Sequence, residues 1–184
     1  EEEAKAKEEA EAAVEEASQP LADWAITPGG RLGFTAQWNG DAVNGSFGRW
    51  TGKVRFSPDD LPNSTIRAEV DLASANTSDS QRDDMLQGSD FFYVAAHPTA
   101  VFNASSMRHL GGNRYRASGS LSMHGTSRPV SLDFTLDIKG DVARVSGATR
   151  LNRTSFGVGS GEWAATDQIA DGVAVNFAFS ARKK

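Results

Sequence analysis

The sequence predicts an all-β, antiparallel domain of about eight strands, with one short helical insertion and an acidic helix ahead of it. Three observations carry this. From Leu21 onward apolar and polar residues alternate with period two, the mark of a sheet with one dry and one wet face. Gly, Asn, Asp and Pro punctuate that alternation at short intervals. After the first 20 residues no helical run of ten or more appears, which argues against βαβ folds.

Residues 1–18 are rich in Glu, Ala and Lys, so helix propensity is high, but the apolar positions are mostly Ala and offer little to bury. Residues 1–20 are therefore expected to be a solvated helical spacer or tail, closed by Gln19-Pro20, and residues 21–184 the β domain. Deleting residues 1–18 is expected to leave folding and binding intact, and a melting temperature lowered by several degrees would contradict the spacer reading.

A short strand over residues 24–27 ends at Pro28-Gly29-Gly30, and Leu32, Phe34, Ala36 and Trp38 alternate over the next. Asn39-Gly40-Asp41 turns the chain into a longer strand over residues 46–56, with Gly48 and Gly52 as sites for a bulge or bend. Ile66, Ala68, Val70 and Leu72 then face one way, with Arg67, Glu69 and Asp71 opposite. The helical piece follows: Ser80 and Asp83 form a weak capping box, Met85 and Leu86 give an apolar side, and Gly88 can end it. Asp90-Phe91-Phe92-Tyr93 comes next, and His97-Pro98 precedes a return strand over residues 99–102.

Gly111-Gly112-Asn113 is a hairpin turn into Tyr115, Ala117, Gly119, Leu121 and Met123. Leu132, Phe134, Leu136 and Ile138 form the cleanest alternation in the chain. Gly140-Asp141 turns it into residues 142–151, and a Gly-rich loop over residues 157–161 is expected to be a flexible hairpin. The last strand carries Val173, Val175, Phe177 and Phe179 on one face. Eight such strands can close into a barrel or pack as a sandwich, and periodicity alone does not choose.

Composition bounds the rest. At 184 residues the chain suffices for one domain with a sizeable core. It lacks an apolar run of about 18 residues, so no helical membrane span is expected. Without cysteine, disulfides and thiolate chemistry are excluded. Glu1 rather than Met opens the chain, consistent with a targeting segment already removed. Residues 1–18 hold eight Glu and two Lys, so taking their −6 out of the chain's −5 leaves +1 for the rest. That nearly neutral body gives no electrostatic case for nucleic acid.

Several ordered blocks resemble the YceI-like family, the lipocalin-like polyisoprenoid-binding proteins of bacteria. They are Asp71-x-Ala73-Ser74, Thr77, Arg82-Asp83, Leu86 and Ser89-Asp90-Phe91-Phe92, then His97-Pro98-Thr99 and Phe102. The stretch from Gly119 through Leu121, Gly125 and Arg128 to Pro129-Val130 resembles a second family block, and Gly45-x-Phe47 and Arg153-Thr154-Ser155-Phe156-Gly157 extend the likeness. The resemblance covers roughly residues 22–182. It implies an eight-stranded, lipocalin-like antiparallel barrel with an elongated apolar cavity for an isoprenoid lipid, a polyprenyl phosphate or an isoprenoid quinone. It also implies a periplasmic or cell-envelope location. No enzymatic activity is expected, because the inward faces carry only one titratable side chain, Tyr115, and no cofactor beyond the lipid is expected. Transient contact with a membrane or membrane cytochrome, and a monomer or homodimer, complete these expectations. The chain departs from the family at Thr27-Pro28-Gly29-Gly30-Arg31, Met85 and Gln87, where relatives often carry other polar residues, so its head-group preference is expected to differ.

An isoprenoid tail has no hydrogen-bonding groups, so its host needs apolar walls. The inward faces supply Phe34, Trp38, Phe47, Phe56, Phe102, Tyr115 and Leu121 from the first half of the barrel. Leu132, Phe134, Leu136, Val175, Phe177 and Phe179 come from the second. The residues alone favour a solidly filled interior; the resemblance reverses this. Residues 81–93 form the natural gate, with Phe91 and Phe92 as its cap. Arg82 either faces a diphosphate or quinone oxygen, or pins the helix through Asp83, Asp90 or a backbone carbonyl. Asp90 reads as a turn cap. His97, His109 and His124 are far apart and lack the i, i+4 spacing of a helical metal pair, so no metal site is expected. Two rival functions stand beside lipid carriage: a packed envelope interaction module without ligand, and an enzyme acting on an isoprenoid lipid.

Overall fold

The structure, a computed structural model, describes residues 19–184. The acidic helix expected over residues 1–18 lies outside them. Eleven strand segments form one antiparallel sheet: β1 (Ala22–Ile26), β2 (Arg31–Trp38), β3 (Asp41–Phe47), β4 (Trp50–Phe56), β5 (Thr65–Asp71), β6 (Ala75–Asn76), β7 (Thr99–Gly111), β8 (Arg114–Met123), β9 (Thr126–Lys139), β10 (Val142–Asn152) and β11 (Gly172–Lys183).

These segments amount to eight staves. β1 and β2 are halves of one stave, both paired to β11. β3 and β4 are halves of the next, paired to β2 and β1 respectively. β5 and β6 form the third. Single strands then follow in meander order from β7 to β11, and β11 returns to the first stave. The sheet therefore closes into an eight-stranded barrel, which removes the edges a sandwich would leave.

Closing so small a barrel requires strong coiling, and the breaks in the staves supply it. Five steps from Ile26 to Arg31 face three from Ala181 to Ala178, so Pro28-Gly29-Gly30 takes up two extra residues. Across the next seam, three steps from Phe47 to Trp50 face five from Val70 to Ala75, where a 3-10 turn spans Leu72–Ser74. The single strand expected over residues 46–56 is thus two segments, and it begins earlier, at Asp41. The strand expected over residues 99–102 runs on to Gly111, with bulges between Ala104 and Ser106 and between His109 and Gly111. Those bulges shift the inward positions after Ala104 to Met107 and Leu110, three residues apart, and so break the period-two alternation.

The one α-helix among the described residues, α1 (Ser80–Gln87), sits at the mouth between β6 and β7. Its N-cap is Asp79 rather than the expected Ser80. Asp79 has extended backbone, and its carboxylate accepts from the Arg82 N–H at 3.1 Å. Asp83 turns back to Thr77 instead, accepting from its N–H at 2.8 Å and its hydroxyl at 2.6 Å. Gly88 ends the helix as expected, its N–H donating to the Met85 carbonyl at 3.1 Å.

Apolar side chains pack as two clusters, one at each end. At the base, Tyr115 stacks on Phe134 with centroids 5.8 Å apart and meets Phe56 edge-on at 5.6 Å. Trp24 joins them, its Nε1–H donating to the Phe56 carbonyl at 3.2 Å. At the mouth, Leu72, Phe91, Phe92, Phe156, Val158 and Ile169 form the second cluster. Between β2 and β3 a Cβ on Gly45 would collide with the Phe34 ring lying over it, which is the physical content of Gly45 in the Gly45-x-Phe47 block.

Candidate functional site

Because each stave alternates, one residue in two points into the lumen, and that set is apolar along the barrel's length. The lumen is not filled. A chamber of about 220 Å³ occupies its centre, walled by residues that include Phe102, Leu121, Leu132, Leu136, Phe177 and Phe179. That volume far exceeds the ~10–15 Å³ that holds one water. A second chamber of about 160 Å³ lies under the mouth, bounded by Phe34, Trp38, Met85, Leu86, Phe91 and Phe92 among others. Phe47, Met123, Leu151 and Val175 line both chambers and so form the constriction between them.

The base is closed by the Trp24–Phe56–Tyr115–Phe134 cluster. Burial there pushes the Tyr115 hydroxyl above its ordinary pKa, with the nearby Asp59 charge adding to the effect. The mouth is roofed by aromatic rings in series: Phe34 to Phe47 at 5.3 Å, and Phe47 to Phe92 at 6.0 Å. Phe91 meets Trp163 at 6.1 Å. Phe91 and Phe92 are both buried.

Two cations border the mouth chamber, and they differ. Arg82 donates from Nε to the Thr77 hydroxyl and from Nη2 to the Thr77 carbonyl, both at 2.9 Å. It therefore pins α1 to the turn that follows β6, with no ion pair to Asp83 or Asp90 among the described residues. Its Nη1 has no acceptor among the described residues. Arg153 is only 5% exposed and commits every N–H to backbone oxygen. Nε donates to Ala170 at 3.2 Å, Nη1 to Val158 and Gly159 at 3.0 and 3.4 Å, and Nη2 to Ala165 and Ile169 at 3.0 and 2.8 Å. Burial lowers the Arg153 pKa, and the Asp171 charge opposes that. Asp171 is held below the usual carboxylate range by the Thr154 hydroxyl at 2.6 Å and the Thr154 N–H at 3.0 Å.

Residues 24–181 match the YceI-like domain. The chain belongs to the YceI-like family. A UPF0312 protein of Pseudomonas savastanoi is 28% identical over 122 residues, covering 63% of this chain and 64% of that relative's length. BcnA of Burkholderia cenocepacia superimposes with a TM-score of 0.79 at 26% identity, covering 82% of this chain and 95% of BcnA. A polyisoprenoid binding domain from Saccharophagus degradans, described as implicated in plant cell wall breakdown, gives a TM-score of 0.66 at 12% identity. That pair covers 90% of this chain and all of the other, and shows a shared fold.

Within this YceI-like barrel the residues singled out from sequence separate by height. Phe56, Phe102, Leu121, Leu132, Phe134, Leu136, Phe177 and Phe179 border the central chamber. Phe34, Trp38, Arg82, Phe91 and Phe92 border the mouth chamber, and Phe47 and Val175 border both. Tyr115 borders neither; it is packed into the base plug. Asp90 is not a local turn cap. Its carbonyl accepts from the Ser160 N–H at 2.7 Å and its carboxylate from the Ser160 hydroxyl at 3.1 Å, tying the α1 side of the rim to the Gly-rich loop. That loop is not a free hairpin either, because Arg153 holds it from inside. Sequence reasoning noted Arg153 only as part of a family block. Its signal was present: an Arg followed by three glycines, Gly157, Gly159 and Gly161, all at positive φ, which lets nearby carbonyls turn inward.

Proposed function

We propose that this YceI-like protein binds a long-chain isoprenoid lipid, a polyprenyl phosphate or an isoprenoid quinone, with the tail in the two chambers and the polar end beneath the mouth. The observation that carries this is the lumen itself, two adjoining apolar chambers closed by aromatic rings at the base and roofed by Phe91 and Phe92. The likeness to a polyisoprenoid binding domain supports the same ligand class.

A tail that loses roughly 300 Å² of apolar surface to such walls gains about 7 kcal/mol, part of which offsets its lost freedom. The free Nη1 of Arg82 provides two N–H donors for head-group oxygens. Arg153 does not, since its five N–H groups are already committed. The protein acts in this reading as a non-enzymatic carrier or store in the periplasm or cell envelope. Ligand exchange requires the α1 side of the rim and the Gly-rich loop to part.

Native mass spectrometry of gently purified protein, followed by organic extraction, tests this directly. An isoprenoid mass ladder is the expected result; a clean apo mass that persists after incubation with ubiquinone and polyprenyl diphosphate would refute it. The two-chamber arrangement makes a sharper prediction. Val175→Phe narrows the constriction while placing the added ring in open space, so stability should change by no more than ~1–3 kcal/mol. Long tails should be lost while tails short enough for one chamber are retained. Undiminished retention of long tails would show that they do not pass the constriction.

A further inference from the structure

His97 and His124 lie 27 positions apart in sequence, yet the fold brings their rings together with centroids 5.5 Å apart. Tyr93 joins them, 5.8 Å from His97 and 6.3 Å from His124. The three residues come from two rim segments, the one between α1 and β7 and the β8–β9 turn. A third, the Gly-rich loop, passes beside them, where a Cβ on Gly157 would stand 3.2 Å from His124 Nδ1.

Two features set this cluster apart from ordinary packing. His124 Nε2 is buried without a hydrogen-bond partner, the one such side-chain atom among the described residues. Tyr93 and His124 both hold positive φ, 52° and 55°, which bulky side chains rarely adopt, and they do so in contact with each other. The fold thus keeps strained backbone at a place where it also keeps an imidazole nitrogen idle.

We propose that His97 and His124 bind one first-row divalent metal ion, copper(II) foremost and zinc(II) less tightly, with Tyr93 and water completing the shell. Imidazole is a preferred ligand for both ions, and copper(II) heads the affinity order. With metal–nitrogen bonds of about 2.0–2.1 Å, two imidazoles on one ion have centroids roughly 5 Å apart, close to the spacing seen. No group of three His, Cys, Asp or Glu side chains gathers anywhere among the described residues, so this is a two-imidazole site rather than a closed structural one. An ion here staples the β8–β9 turn to the segment that follows α1.

The test uses the full chain, stripped with chelator and titrated with copper(II) in a non-coordinating buffer. One equivalent should bind with the nitrogen hyperfine pattern of two imidazoles and raise the melting temperature. His97→Asn and His124→Asn should each weaken binding by roughly tenfold or more, and Asn at 124 keeps a residue that tolerates positive φ. His109→Asn should change nothing. Selective paramagnetic broadening of the His97, His124 and Tyr93 resonances in the unaltered protein gives a readout independent of any variant. Binding that survives both substitutions, or broadening confined to the Glu-rich N-terminal residues, would overturn the proposal.

Discussion

Arg153→Met is expected to be among the most damaging single substitutions in the protein, lowering stability by about 3–5 kcal/mol. Methionine matches much of the length but supplies no donor, so the carbonyls of Val158, Gly159, Ala165, Ile169 and Ala170 all lose a partner at once. Each buried, unpaired oxygen costs about 1–3 kcal/mol, and the loop avoids the full sum only by opening to water. For a chain of this size about 2–4 °C accompanies each kcal/mol, so the melting temperature should fall by roughly 10 °C. Arg153→Lys should recover only part of this, because an ammonium has three donors where five acceptors wait. Opening the loop also unroofs the mouth chamber, so lipid retention should fall with stability, and protease should cut within residues 157–171. A melting temperature within about 3 °C of the parent would show that the loop is held by packing alone.

That prediction could not have been made from sequence, and the reason is physical. Strand alternation is a local property, so Leu132, Phe134, Leu136 and Ile138 announced their common face directly, as did Phe177 and Phe179. Closure is not local. It depends on β11 meeting two separate halves of the first stave, and on extra residues at Pro28-Gly29-Gly30 and Leu72–Ser74 whose effect appears only in the register. The rim was the least legible part. Asp90 with Ser160 (70 positions apart) and His97 with His124 are pairings that no spacing encodes. Arg153 is a partial case: the glycines at 157, 159 and 161 allow carbonyls to turn inward, but its partners are backbone oxygens, so no side-chain pattern names the cation they meet.

The base of the barrel gives the second large effect. Phe134→Asp should lower stability by at least ~4 kcal/mol and abolish lipid retention. Phe134 is 7% exposed, stacked on Tyr115 and 6.4 Å from Phe56, and its neighbour on β10 is Gly147, which brings no side chain. A carboxylate placed there meets aromatic carbon on its flanks and loses its hydration without compensation. Part of the loss is only the missing ring, since Phe→Ala in a core costs about 3–5 kcal/mol. The pH dependence separates the two contributions. In the folded variant, desolvation raises the new carboxyl's pKa above its unfolded value of about 3.9. A raised folded pKa means the neutral form is tolerated at low pH, and stability is lost as pH rises through that pKa. The gap between Phe134→Asp and Phe134→Ala should therefore be small near pH 4 and wide at pH 7, read as melting temperatures on both variants. A gap that stays constant across that range would mean that the carboxylate reaches water, and that the base of the barrel is not the sealed aromatic floor the packing of Trp24, Phe56 and Tyr115 describes.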